Sequence, residues 1–315
     1  MKVSIIGGAG LVGSSAAFAL QCGGVAREIA LLDLNAEAAD GHAIDLMHGG
    51  PSTADQVISA GDYRHIPSSD IICITAGLRR KPDESRLDLI NRNTDLFLSI
   101  LADVAKAGVK KDAVVVVVSN PVDILTYVAA DRLNLPVSQV IGLGTQLDTI
   151  RFRSLIAQKM AVAPSQVNAL ILGEHGDSMV PIWSSAAIGG LPIDKFAGWS
   201  VKVADELFTR AKTSGAEMIK KRGGAGYAVG IAIRDVIHSV ALDQRRILPV
   251  SSVQNGCYDI RDVAISVPTV VGRSGVLGVH PIELWPKEVQ LIRKSGQVLR
   301  ETLATVLGRI GRMKK

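Results

Sequence analysis

The segment Val3-Ser-Ile-Ile6-Gly7-Gly8-Ala9-Gly10-Leu11-Val12-Gly13 decides the fold of this 315-residue chain. A short apolar run passes directly into G-x-G-x-x-G at Gly8, Gly10 and Gly13, and a helix rich in small residues follows. In that setting Gly8 permits a tight turn, Gly10 removes a side chain where a pyrophosphate would approach the backbone, and Gly13 lets helix and strand pack closely. The helix N-terminus adds free N–H donors and a positive dipole. Glycine triplets also occur in ordinary turns, so the reading rests on what flanks them. A second apolar run, Ile29-Ala-Leu-Leu32, ends in Asp33, about 20 residues beyond Gly13. A carboxylate there accepts hydrogen bonds from ribose hydroxyls and repels a 2′-phosphate, which predicts NAD rather than NADP. The alternative is Asp33 as the N-cap of the next helix.

Outward from this turn, short apolar runs alternate with helical periods. Residues 3–6, 28–32, 57–60, 71–74, 113–118 and 140–143 predict strands, and residues 11–22, 36–48, 87–107 and 122–133 predict helices. Near-continuous apolarity suits strands covered on both faces, so the alternation predicts a Rossmann-type doubly wound parallel sheet. After about Gly144 the rhythm changes. A helical stretch to Ala161, strands at 167–172, 247–253 and 263–270, helical residues 201–241 and a last helix over 286–315 predict an α+β substrate domain. The expected division is a dinucleotide-binding domain at 1–144 and a substrate or catalytic domain at 145–315.

Composition narrows the function classes. Lys and Arg exceed Asp and Glu by 35 to 30, a mild excess that suits anionic small molecules as well as nucleic acid. Only 4% of residues are aromatic and no basic run is interleaved with them, which argues against a single-stranded nucleic-acid platform. Cys22, Cys73 and Cys257 lie far apart with no nearby His pair, so neither a disulfide framework nor a metal site is indicated. No leader-like segment precedes Val3, and the longest apolar block is too short to span a bilayer, so the expectation is a cytoplasmic protein with no membrane partner.

Four stretches bear on chemistry. His175 sits in the glycine-flanked turn Gly173-Glu-His-Gly-Asp177, just past an apolar strand. In Leu147-Asp148-Thr-Ile-Arg151 a carboxylate and a guanidinium share one helical face, able to address the same cavity as His175 or to form a plain surface ion pair. A carboxylate beside an imidazole fixes its tautomer and raises its pKa, making a proton shuttle near neutral pH. Ser119-Asn120-Pro121 ends a strand at the same sheet edge as the glycine turn, where Asn120 offers both donor and acceptor. The segment Thr75-Ala-Gly-Leu-Arg-Arg-Lys-Pro-Asp-Glu-Ser-Arg86 places four cations in one loop at a strand's carboxyl end, where open α/β sheets bind ligands. By itself such a cluster is more often a solvated surface loop.

Taken in order, these motifs resemble the L-lactate and L-malate dehydrogenase family from Val3 to about Leu307. The resemblance implies that His175 is the general acid/base, that Asp148 orients it, and that Arg151 binds the substrate C1 carboxylate. It implies that Arg86 polarises the reacting carbonyl when the loop closes and that Asn120 bonds the substrate oxygen. Cofactor contacts are implied at Ala9, Leu11, Val12, Thr75, Ala76, Gly77, Asn93, Val118, Ser119 and Asn120, besides the three glycines and Asp33. A homodimer or homotetramer is implied as well.

Within the family, Arg80 occupies the loop position facing the substrate's third carbon, where lactate enzymes resemble one another in a Gln. Stranding a buried cation without its partner costs about 3–5 kcal/mol, so Arg80 predicts a second substrate carboxylate, hence malate and oxaloacetate. Ala225, at a position that is Thr in typical lactate enzymes, agrees. Glu84-Ser-Arg-Leu-Asp88 and Asp148-Thr-Ile-Arg-Phe-Arg153 have lactate-like wording, so the expectation is a lactate-dehydrogenase-like malate dehydrogenase. The alternatives are a lactate or other 2-hydroxy-acid dehydrogenase, and a dinucleotide-binding protein without turnover. Asp83 departs from the Gly usual after Lys-Pro.

Overall fold

The computed structural model describes residues 1–79 and 83–311, with the backbone alone for Arg86. The chain runs β1 (Lys2–Ile6), α1 (Leu11–Gly23), β2 (Glu28–Leu32), α2 (Ala36–His48), β3 (Val57–Gly61), β4 (Ile71–Ile74), α3 (Arg86–Ala107), β5 (Val114–Val117), α4 (Val122–Arg132) and β6 (Val140–Gly142). It continues through α5 (Gln146–Met160), β7 (Val167–Leu172), β8 (Val180–Ile188), β9 (Leu191–Pro192), α6 (Val201–Arg222), α7 (Tyr227–Ala241), β10 (Arg246–Asn255), β11 (Arg261–Gly272), β12 (Gly275–Val279) and α8 (Pro286–Ile310).

Strands β1 to β6 lie parallel in the order β3-β2-β1-β4-β5-β6, with β1 between β2 and β4. Chain direction across the sheet therefore reverses at β1, and a crevice opens at its carboxyl end. The apolar runs are buried on both faces. Ile71, Cys73, Val114 and Val116 meet Ala16 and Leu20 of α1 and Ala39 of α2, while Ile72, Ile74, Val115 and Val117 meet Phe97 of α3 and Leu125 of α4. Fully burying each such side chain contributes about 1.5–3 kcal/mol, which is why the runs show no alternation.

The second half departs from a self-contained lobe. Strands β10, β11 and β12 extend the same sheet to nine strands, joining it antiparallel through Ser251 opposite Gly142. Helix α7 packs Ala232, Ile233 and Val236 into the core that covers α1, crossing so closely that a Cβ on Gly230 would lie 2.5 Å from the Ser15 carbonyl oxygen. A separate three-stranded antiparallel sheet, β7-β8-β9, stands beside α5 and α6.

The predicted helix over 201–241 is two helices, because Gly223 at φ 78° closes α6 in the left-handed conformation and Gly224-Ala-Gly226 separates it from α7. Strands β8, β9 and β12 escape sequence periodicity: Pro181 and Pro192 interrupt two of them and Gly275 and Gly278 the third. The last helix closes at Ile310, and the remainder of the predicted 286–315 span, from Arg312 onward, lies outside the described residues. No described helix is long and apolar enough to cross a membrane.

Candidate active site

Four strand ends converge on the crevice. β1 runs into the glycine turn, where the N–H groups of Gly7 and Gly8 both donate to the Leu32 carbonyl at 2.8 and 3.0 Å. The residue that needs left-handed backbone is Gly7, at φ 89°, rather than Gly8. A Cβ at Gly13 would lie 2.2 Å from the Gly7 carbonyl oxygen, so helix α1 can seat against the turn only with glycine there. Gly10 is the N-cap of α1 and no side chain caps it, which leaves first-turn N–H groups facing the crevice. This cradle fits a dinucleotide pyrophosphate.

Asp33, at the end of β2, accepts from Ala9 N–H at 3.0 Å and from Asn35 N–H at 3.0 Å. The N-cap of α2 is Asn35, whose side chain accepts from Ala38 N–H, so the capping alternative for Asp33 is excluded. The carboxylate is instead tied to the glycine turn, where the adenosine ribose of a bound dinucleotide would lie.

At the ends of β4 and β5, Thr75 Oγ1 donates to the Ile6 and Gly7 carbonyls, and Ser119 Oγ to that of Ala76 at 2.5 Å. Asn93, buried on α3, grips the base of the cationic loop: its Oδ1 accepts from Leu78 N–H at 2.7 Å and its Nδ2 donates to the Leu78 carbonyl. Asn120 is exposed beside this edge, with Oδ1 accepting from Val122 N–H at 3.3 Å. Arg86 is the first residue of α3, at the far end of the loop, and Ser85 caps that helix. Arg80 lies outside the described residues.

The other wall of the crevice carries titratable groups. Asp148 is in the first turn of α5, its side chain only 2% exposed, and it bridges two partners. Its Oδ2 lies 2.5 Å from His175 Nδ1, and its Oδ1 accepts from Arg151 Nη1 at 3.1 Å. The surface ion-pair alternative for Asp148 and Arg151 is therefore excluded. Burial would raise the Asp148 carboxyl, but the facing His175 and Arg151 charges outweigh it and hold it below the ordinary range. Burial likewise disfavours the charged His175 ring, yet Asp148 and then Asp123 outweigh it and raise its pKa.

Residues outside the motifs align this pair. Thr145 Oγ1 donates to the Ile171 carbonyl at 2.5 Å and Thr149 Oγ1 accepts from Ile171 N–H at 3.0 Å, pinning α5 to β7 one turn before His175. Gly173 bridges to Ser266 on β11, Glu174 N–H donates to Ser295 Oγ on α8, and His175 N–H donates to Asp123 Oδ2 on α4 at 2.8 Å. Asp123, Thr145, Thr149 and the left-handed role of Gly7 stand outside the sequence motifs. The available signals were an acid three residues beyond Asn120 and two threonines spaced i,i+4 around Asp148.

With Nδ1 held by a buried carboxylate, Nε2 is the nitrogen left to exchange a proton, and the adjacent guanidinium can hold an anionic group. Among the described residues no cluster of His, Cys, Asp or Glu could hold a metal ion.

Comparison with known proteins identifies the family. Residues 1–142 match the family description "lactate/malate dehydrogenase, NAD binding domain", and residues 145–309 match "lactate/malate dehydrogenase, alpha/beta C-terminal domain". The chain is 40% identical over 310 residues to an L-lactate dehydrogenase of Acetivibrio thermocellus, covering 97% of each chain. It is 39% identical to that of Kosmotoga olearia, covering 98% of this chain and 97% of that one. The crystal structure of the minor L-lactate dehydrogenase from Enterococcus mundtii with ligands bound superposes with a TM-score of 0.92 at 36% identity, covering 97% of this chain and 98% of the other. These relatives overturn the expectation of a malate dehydrogenase. That expectation rested on Arg80 and Ala225, two loop positions, whereas the likeness to lactate enzymes extends over nearly the whole chain. NAD is the cofactor, and the chain belongs to the lactate/malate dehydrogenase family.

Proposed function

We propose that this protein is an NAD-dependent L-2-hydroxy-acid dehydrogenase that interconverts L-lactate and pyruvate. The observation that carries the chemistry is the buried Asp148 bridging His175 and Arg151. The names of the relatives support the substrate class. NADH, when bound, would supply the hydride for the substrate C2. His175 Nε2 gives its proton to the carbonyl oxygen, and in the reverse direction takes it from the C2 hydroxyl. Asp148 stabilises the charged ring, and Arg151 holds the C1 carboxylate through parallel N–H bonds. Asn120 addresses the reacting oxygen from the loop side; the role implied for Arg86 falls on a side chain outside the described residues. Gly8 to Gly13 and Asp33 hold the pyrophosphate and ribose, with the remaining cofactor contacts at Thr75 to Gly77, Asn93 and Val118 to Asn120. Residues 1–144 form the cofactor-binding part and residues 145–315 the substrate part, in a cytoplasmic homo-oligomer.

Steady-state kinetics with NADH against pyruvate, longer 2-oxo acids and oxaloacetate test the reading. The expected result is the highest kcat/KM on pyruvate or another monocarboxylic 2-oxo acid. A preference for oxaloacetate, or no turnover on any of them, would overturn it.

A further inference from the structure

Asp123 is a buried titratable group beside His175 that the proposed chemistry leaves unused. It lies in the first turn of α4, only 2% exposed, three residues beyond Asn120. One carboxylate oxygen accepts from the His175 backbone N–H at 2.8 Å. The other, Oδ1, is buried without a hydrogen-bond partner, and so is the Ser251 hydroxyl of β10. A neutral acceptor would satisfy the His175 N–H just as well, and leaving a buried carboxylate oxygen unpaired costs about 1–3 kcal/mol.

We propose that Asp123 is a positioning residue for His175: it anchors the histidine's backbone and sets a second carboxylate beside the Asp148–His175 pair, so that proton transfer runs on two carboxylates. The proposal rests on the dehydrogenase reading of the site. Asp123 faces His175 and Glu174 from the loop after β7 and Ser251 from β10. His175 in turn faces Asp148 and Arg151 from α5 and Asp123 from α4. Burial outweighs the lowering pull of the Ser251 hydroxyl close by and of the His175 N–H and ring, and leaves the Asp123 carboxyl raised to about 6. The carboxylate is thus charged over the neutral range in which the ring exchanges its proton, and its field favours the imidazolium.

Asp123→Asn keeps an acceptor for the His175 N–H and removes the charge. In pyruvate reduction, which needs the protonated ring, activity falls as pH rises through the His175 pKa. The variant moves that alkaline limb of kcat/KM to lower pH by about half to one unit, less than the one to three of a directly facing charge. KM for pyruvate at low pH stays within about twofold, because Arg151 is untouched. Should Asp123→Asn fail to fold, Ser251→Ala decides. Without that hydroxyl Asp123 stays protonated to higher pH, and the limb moves the same way by a smaller amount. A folded variant whose limb coincides with wild type overturns the proposal. Wild-type protein that turns over no 2-oxo acid would instead strike the dehydrogenase reading, which separates the two failures.

Discussion

Replacing Asp148 by Asn probes the centre of the site with little change of shape. The carboxylate lies 2.5 Å from His175 Nδ1 and 3.1 Å from Arg151 Nη1, and its side chain is 2% exposed. Two unit charges about 4 Å apart, at an effective dielectric near 20, interact by about 4 kcal/mol. His175 is 22% exposed, and solvent screening there leaves roughly 2 kcal/mol. Removing the charge lowers the His175 pKa. Pyruvate reduction requires the protonated ring, so its alkaline limb should move down by about 1.5 units, and kcat at neutral pH should fall about 10²-fold. Stability follows the same linkage. The Asp148 pKa is depressed, so its contribution is present above the ordinary 3.8 and fades as pH falls. The His175 pKa is raised, so its contribution is full below the ordinary 6.5 and fades as pH rises. The Tm deficit of Asp148→Asn should therefore be largest between those values and shrink on either side. Stopped-flow and steady-state pH profiles, with Tm against pH, measure all three. An unmoved limb together with a kcat loss under threefold would refute the electrostatic account.

Gly13→Ala puts a Cβ 2.2 Å from the Gly7 carbonyl oxygen, which displaces the turn; fluorescence titration should show NADH binding weakened at least about tenfold, for a packing cost of roughly 1–3 kcal/mol. Wild-type affinity in that variant would mean the turn does not seat the cofactor. Arg151→Lys keeps the charge but loses the planar fork, so KM for pyruvate should rise about 10- to 100-fold with a smaller change in kcat. An unchanged KM would remove Arg151 from the substrate site.

The features legible from residue order alone are local in origin. The six parallel strands were readable because burial on both faces makes each a short unbroken apolar run. The dinucleotide cradle was readable because turn, pyrophosphate approach and helix packing each demand glycine at adjacent positions. Asp148 and Arg151 were readable as a pair because helical periodicity puts them on one face. Tertiary structure decided the rest. Only packing brings Asp148 to His175, 27 residues apart, and Asp123 to the same histidine, 52 residues apart. Only packing extends one sheet through β10 to β12 and lays α7 across α1, since those contacts join surfaces whose sequences read as ordinary apolar faces. The substrate expectation failed for a related reason. Arg80 and Ala225 are two side chains, whereas specificity is a difference in affinity to which every residue lining the site contributes.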